Sequence, residues 1–276
     1  MKQAQADYRS QNIGRRIEFS APGAVISLVN DLECNGFAVA VMGDFADGPE
    51  ISLKRLSASL GLGDPVIPAL YRRENAEQYA NLYHEVQRNP ADQHPGFSTT
   101  DGQALHVDGL ADEIGKLRTS ILYCVRAAHA GGDTVIFNAV AAFEALRESD
   151  AEAASALLDP RALERRATIP GVEASAMGPA FAMEPDGTVV TRFTDNDTCT
   201  WNQSVGRAGS LGRGLEFLRQ AAGDPRYRTA VRLARGEALI FRNDRVSHGR
   251  TSYQDSPRNR RLLVRAVYSR PPLPES

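Results

Sequence analysis

Short apolar runs bounded by turn residues, not long amphipathic stretches, set the pattern of this chain. Gly36-Phe37-Ala38-Val39-Ala40-Val41 is a compact run rich in branched residues and predicts a buried strand. A helix over 23–34 precedes it. Ile51, Leu53, Leu56 and Leu60 recur at roughly helical spacing, and Gly61 stands just past the last, where a C-terminal cap belongs. Thr119 to Ala127 and Thr134 to Phe137 read as strands around a Gly131-Gly132 turn, and 140–166, rich in Ala, Leu, Glu and Arg, reads as helix that Pro160 breaks in two. Strand-like runs follow at 188–193, 229–234, 237–242 and 261–268, with turns at Gly187 and Gly236 and a short helix near 214–221. Many short strands without regular strand–helix alternation predict a mainly β architecture, closed or two-sheeted and antiparallel, with flanking helices outside it.

From Gln87 to Gln103 the pattern turns polar and is punctuated by Pro90, Pro95, Gly96 and Gly102. This predicts a mobile surface loop, and a lid is placed over 87–105. No segment repeats and no internal linker stands out, so 1–276 reads as one domain with an irregular tail at 269–276.

Composition narrows the function classes. The 276 residues carry a net charge of −2, from 32 Lys+Arg against 34 Asp+Glu, with 42% hydrophobic and 24% charged positions, as globular proteins do. Only Lys2, Lys54 and Lys116 are lysines, and the many arginines are spread out and matched by acids, so no nucleic-acid partner is expected. Cys34, Cys124 and Cys199 are odd in number and far apart, which argues against a disulfide framework or a zinc finger and for a reducing compartment. The longest apolar stretch, around Phe37 to Met42, is too short to span a bilayer, and the first residues are polar; a cytoplasmic protein without a membrane partner is expected.

Five histidines make the metal-ligand search short: His84, His94, His106, His129 and His248. In an extended segment residues two apart point the same way, so His106 and Asp108 can present an imidazole and a carboxylate to one ion. His248, arriving from a distant strand end, would close a two-His-one-carboxylate face with open positions opposite, the arrangement of non-haem Fe(II) oxygenases. The bland alternative for any histidine is a surface or hydrogen-bonded core residue, and His84, His94 and His129 are left there. His106 and His248 are set apart by their company, Gly131-Gly132-Asp133-Thr134 and Arg261-Leu262-Leu263-Val264-Arg265.

With these residues in place the chain resembles the Fe(II)/2-oxoglutarate-dependent dioxygenases of the taurine dioxygenase superfamily, in its clavaminate synthase-like branch. The likeness runs in order from Asn35-Gly36-Phe37 through His106-Val107-Asp108, Gly131 to Thr134 and Thr191-Arg192-Phe193 to Ser247-His248-Gly249-Arg250-Thr251-Ser252-Tyr253 and Arg261 to Arg265. Asp108 stands where that branch usually has glutamate, and the gap from His248 to Arg261 is a residue shorter. The resemblance implies a double-stranded β-helix, a cupin-like jelly-roll, with Fe(II), O2 and 2-oxoglutarate as cosubstrate. It implies that His106, Asp108 and His248 ligate iron, that Arg261 pairs with the distal carboxylate of 2-oxoglutarate and that Thr134 donates to it. A guanidinium offers that carboxylate a planar two-pronged donor, which lysine does not. Arg265, four residues on and on the same strand face, is implied to meet the substrate.

The implied reaction is hydroxylation of an unactivated C–H bond with release of succinate and CO2; desaturation or cyclisation would use the same residues. Thr191 to Asp197 resembles the place where amino-acid hydroxylases of the branch carry substrate-contacting acids, so Asp195 and Asp197 are candidates and an amino acid or amino-acid-derived small molecule is the expected substrate. A polar turn with Asx capping is the competing reading of those two aspartates. Trp201 is either a pocket-mouth residue or plain packing. Two rivals come from other classes. A non-catalytic jelly-roll that binds a metal or small acid predicts loss of a cosubstrate residue, yet Thr134 and Arg261 are both present. A zinc hydrolase on the same ligands would want a general base near the metal, and none is evident.

Overall fold

The computed structural model describes residues 7–10, 12–43, 48–92, 94–207 and 209–273. Residue 93 of the expected lid, 274–276 of the expected tail and 1–6, 11, 44–47 and 208 of the expected domain lie outside the described residues. Two sheets carry the architecture. The larger has six strands in the order Arg16–Glu18, Phe37–Val41, Glu237–Arg242, Thr119–Arg126, Leu262–Tyr268 and His84–Val86. All its pairings are antiparallel except the first. The smaller orders Arg228–Val231, Thr134–Phe137, Ser247–Arg250 and Gln103–His106, all antiparallel.

Strand alternation assigns the side chains to layers. Phe37, Val39, Leu122, Cys124, Leu239, Phe241 and Leu263 point from the larger sheet into a core shared with Ile136 of the smaller one. Their neighbours Ala38, Ala40, Ile121, Tyr123, Ala238, Ile240 and Val264 point outward, against Leu28 and Leu32 of the helix Ala24–Asn35 and Leu53 and Leu56 of the helix Pro49–Ser59. Two sheets enclosing one core, with helices outside, is the jelly-roll expected from the pattern of short strands.

A second core covers the outer face of the smaller sheet. Phe137 meets Phe143, Phe181, Phe193 and Leu215 beneath the helices Ala139–Ser149, Ala151–Leu157 and Ser210–Ala221. Two expectations are corrected here. The helix read over 140–166 breaks at Asp150, whose side chain accepts the Ala153 amide and starts a new helix. It ends before Pro160, and Leu163–Arg166 is instead the middle strand of a small sheet with Cys199–Trp201 and Ser175–Gly178, where pairing on both edges overrides helical propensity. The strands expected on either side of the Gly131-Gly132 turn are present as Thr119–Arg126 and Thr134–Phe137, one in the larger sheet and the other in the smaller. Gly131 and Gly132 have φ of 67° and 77°, and a Cβ on Gly131 would lie 2.2 Å from the Ser252 carbonyl oxygen, so this crossing between sheets needs glycine.

The second correction concerns the loop expected at the surface, which is exposed only in part. His94, Phe97 and Ser98 within it are buried. Asp92 accepts from the Tyr79 hydroxyl at 2.6 Å and from the Ser98 hydroxyl, and the His94 ring stacks on Phe97 with centroids 3.8 Å apart. From 103 the chain is already a strand of the smaller sheet.

Candidate metal centre and its two cavities

His106 closes the strand Gln103–His106, and Asp108 follows two residues later, past the strand end. His248 lies in Ser247–Arg250, paired in register opposite His106. The sequence separates them widely, yet donor atoms of His106, Asp108 and His248 lie within 4.8 Å of one another. No other such cluster of His, Cys, Asp and Glu occurs among the described residues.

Protonation suits a cation here. Burial lowers both imidazoles, His248 to about 3, with His106 the next cause for His248. Burial alone would raise the Asp108 carboxyl; the Arg265 guanidinium beside it, with both histidines, holds it well below the usual carboxylate range. At neutral pH the set is two neutral rings and one carboxylate, the form a divalent metal requires. The Ala104 carbonyl can only accept, so the 3.0 Å contact to His106 Nδ1 places a proton there and frees Nε2 as donor. These three residues could hold a metal through two nitrogens and one oxygen, leaving the opposite face open.

Groups from several strands fix the ligand segment. The Ser120 hydroxyl donates to Asp108 Oδ2 at 2.8 Å, and Arg265 donates to Oδ1 at 2.5 Å. Asn243 accepts the Asp108 amide at 2.9 Å and donates to the carbonyls of Asp108 and Leu117 at 3.3 and 2.9 Å. The Val107 amide donates to Thr194 Oγ1, and Arg165 Nη1 donates to the Val107 carbonyl. Sequence reasoning missed Ser120, Asn243, Thr194 and Arg165. Asn243 sits in the polar run Arg242-Asn243-Asp244-Arg245, which reads as an exposed turn but is buried throughout, and Arg165 lay in a segment read as helix.

Two cavities meet at the cluster. The inner one is lined by Thr134, Arg261, Arg250 and Leu263 as well as by all three candidate ligands. Thr134 and Arg261, expected to act together, are both buried there, and Arg261 Nη1 has no partner. The guanidiniums of Arg250 and Arg261 lie 5.1 and 5.0 Å from the Tyr253 ring centroid. The outer cavity, of about 570 Å³, reaches His106, Asp108 and Arg265 at its floor and is walled by His94, Phe97, Arg165 and Ile169. The loop over 94–103 therefore forms a wall of this cavity.

The remaining candidates separate. Asp197 is exposed but lines the outer cavity, whereas Asp195 does not line it and pairs with Arg219 at 3.0 Å. Asn196 between them accepts the Thr198 amide at 3.0 Å, so the segment holds an Asx turn, made by Asn196 and not by either aspartate. Trp201 packs against Phe193 in the second core and lines neither cavity.

Comparison with known proteins agrees with this geometry. A uridine-5'-phosphate dioxygenase of an Amycolatopsis species is 53% identical over 272 residues, 99% of this chain and 98% of that one. A uridine-5'-phosphate dioxygenase of a Streptomyces species is 37% identical over 266 residues, 93% of this chain and 96% of that one. The fold is shared with the non-heme iron oxygenase OrfP. Its complex with (3S)-hydroxy-L-Arg aligns at a TM-score of 0.67 and 18% identity, over 90% of this chain and 80% of that one. Its complex with Fe and alpha-ketoglutaric acid aligns at 0.63 and 17%, over 91% and 86%. The family model described as taurine catabolism dioxygenase TauD, TfdA family matches residues 18–267, and the chain belongs to that family of dioxygenases.

Proposed function

We propose that this chain is an Fe(II)/2-oxoglutarate-dependent oxygenase whose substrate is a pyrimidine nucleoside monophosphate, uridine 5′-phosphate. The observation that carries the reaction class is the convergence of His106, Asp108 and His248 where the inner cavity meets the outer one. The substrate reading rests on the relative that is 53% identical along nearly the whole chain. The amino-acid substrate expected from the sequence is the class named in the OrfP complex, which at 18% identity shares the fold.

His106, Asp108 and His248 would hold the iron. Each carboxylate oxygen has two lone pairs, so Asp108 can keep Ser120 and Arg265 while it serves the metal. Arg261 and Thr134 would fix the distal carboxylate of 2-oxoglutarate in the inner cavity. When bound, iron with 2-oxoglutarate and O2 supplies the oxidant that inserts oxygen into a C–H bond, releasing succinate and CO2. This chain's contribution is placement and exclusion of water. The outer cavity falls within the range of about 300–1,000 Å³ usual for small-molecule sites, and Phe97 lies over the Arg265 guanidinium at 4.7 Å, covering the floor with an apolar ring. Arg265 and Asp197 face the substrate in this reading, whereas Asp195 has no place in it.

We take the described residues to act as one dioxygenase domain in the cytoplasm. The family match along most of the chain, the absence of any helix long and apolar enough to cross a membrane among the described residues, and three free cysteines support this. The test is anaerobic titration with Fe(II) and then 2-oxoglutarate, followed by aerobic succinate release with uridine 5′-phosphate, L-arginine or L-asparagine. A visible charge-transfer band and succinate formed only with the nucleotide support the reading. A band with turnover of an amino acid alone would move the substrate class, and no band in iron-loaded protein would remove the reaction class.

A further inference from the structure

Among the described residues several arginines are buried, and nearly all have an evident partner. Arg242 and Arg245 meet Asp244 and Glu33, and Arg265 meets Asp108. Arg250 and Arg261 face the inner cavity, where a dicarboxylate cosubstrate is proposed. Arg192 donates to the Ala176 carbonyl and lines neither cavity. Arg165 is left over. It is 3% exposed, lines the outer cavity, and has no carboxylate within ion-pair distance among the described residues.

Among the described residues its one hydrogen bond is from Nη1 to the Val107 carbonyl at 3.1 Å, and its buried Nε has no partner there. Burial presses the guanidinium down to about 10, Cys199 and Asp108 push it up and Arg192 pushes it down, and at neutral pH it remains a cation. The acids on the cavity do not neutralise it: Asp101 and Asp197 are exposed at the rim, and Asp108 is held by Arg265 and Ser120. A buried charge without a counter-ion is costly, and one backbone carbonyl could be satisfied by a neutral donor.

We propose that Arg165 is the receptor for the substrate's anionic group, the phosphate of the nucleotide, and so determines that this site takes a nucleotide and not a nucleoside. This deepens the substrate reading above and rests on it. A guanidinium fork matches a phosphate with two parallel N–H donors. The Val107 carbonyl lies between His106 and Asp108, so Arg165 is tied to the ligand segment and a phosphate held there sits on the metal side of the cavity.

The experiment compares uridine 5′-phosphate with uridine, by anaerobic calorimetry on iron- and 2-oxoglutarate-loaded protein and by succinate release, in wild type, Arg165→Gln and Arg165→Lys. Wild type should favour the phosphate on the order of 30-fold, the worth of a charged hydrogen-bonded pair. Arg165→Gln should collapse that ratio toward one through KM more than kcat, and Arg165→Lys should restore part of it. Arg165→Gln keeps a donor for the Val107 carbonyl while it removes an unpaired buried charge, so its midpoint of thermal unfolding should not fall. Equal handling of nucleotide and nucleoside by wild type, an unchanged ratio in Arg165→Gln, or loss of iron and uridine binding together with stability would each overturn the assignment. Wild type that turns over no uridine compound at all would instead overturn the nucleotide reading itself.

Discussion

His106 and His248 stand opposite each other across one ladder of the smaller sheet, paired in register with ring centroids 4.2 Å apart. Two candidate ligands are thus placed by strand pairing itself. Replacing either by alanine should leave the sheet intact and reduce iron to background in protein purified with Fe(II), as read by elemental analysis. Stoichiometric iron in His248→Ala would show that the metal lies elsewhere.

The glycine between His248 and Arg250 is part of the same device. A Cβ on Gly249 would meet the Gln103 carbonyl oxygen at 2.6 Å, across the ladder that aligns the histidines. Gly249→Ala should therefore push the two strands apart and weaken iron binding more than it weakens the fold. Iron titration beside thermal unfolding separates the two effects; wild-type iron affinity in Gly249→Ala would show that the ladder tolerates the methyl.

Arg261 carries the cosubstrate in this reading, so Arg261→Ala should raise the apparent 2-oxoglutarate requirement with iron retained. Lysine should rescue poorly, since an ammonium lacks the two-pronged geometry. Measured 2-oxoglutarate KM values in the three proteins decide the point, and an unchanged KM in Arg261→Ala would assign the carboxylate to Arg250.

Asn243 makes three hydrogen bonds that fix Asp108 and Leu117. Asn243→Ala leaves buried backbone groups unpaired, at about 1–3 kcal/mol each. Metal affinity should also fall by roughly 10–100-fold, as for other groups that orient a ligand. Denaturant unfolding of the metal-free protein and iron titration check the two parts.

The metal-free protein should lose stability in mild acid. His94 Nδ1 accepts the amides of Gly96 and Phe97, both at 3.1 Å, so protonating it breaks both bonds. Burial, with Arg265 next, lowers His94 to about 3, and burial lowers His84 to about 4 and His248 to about 3. Below about 6.5 the unfolded chain takes up protons that the folded one refuses. Stability is then full above that pH and falls toward pH 4 by about 1.4 kcal/mol per pH unit for each such histidine. Denaturant midpoints from pH 8 to pH 4 read the slope, which should shrink in His94→Gln.

Much of this was legible in the residues. The unbroken apolar runs at Phe37 to Val41 and within Glu237 to Arg242 announced buried strands because both faces of the larger sheet are covered, one by the shared core and one by helices. His106, Asp108, Thr134, His248 and Arg261 could be named because their spacing and order fit one pattern, and the fold brings them together around one inner cavity. What stayed hidden depends on tertiary contact. Leu163–Arg166 looks helical until its two edge partners are known, and nothing local to Asn243 says that it clamps a strand end far away in sequence. Asp195 and Asp197, two apart, looked equivalent, but Arg219 takes one and the cavity rim has the other.

The sheet that carries the candidate ligands and the small sheet that carries Arg165 are separate ladders. In the proposed reading, the group that receives the substrate's anion and the two histidines that hold the metal therefore stand on different ladders. The segment from Leu163 to Trp201 nevertheless grips that ladder, since Thr194 accepts the Val107 amide, Arg165 donates to the Val107 carbonyl and the Asp195 amide donates to the Leu105 carbonyl. A chain that changes its substrate through this segment must keep those three contacts or loosen the strand that carries the candidate ligands.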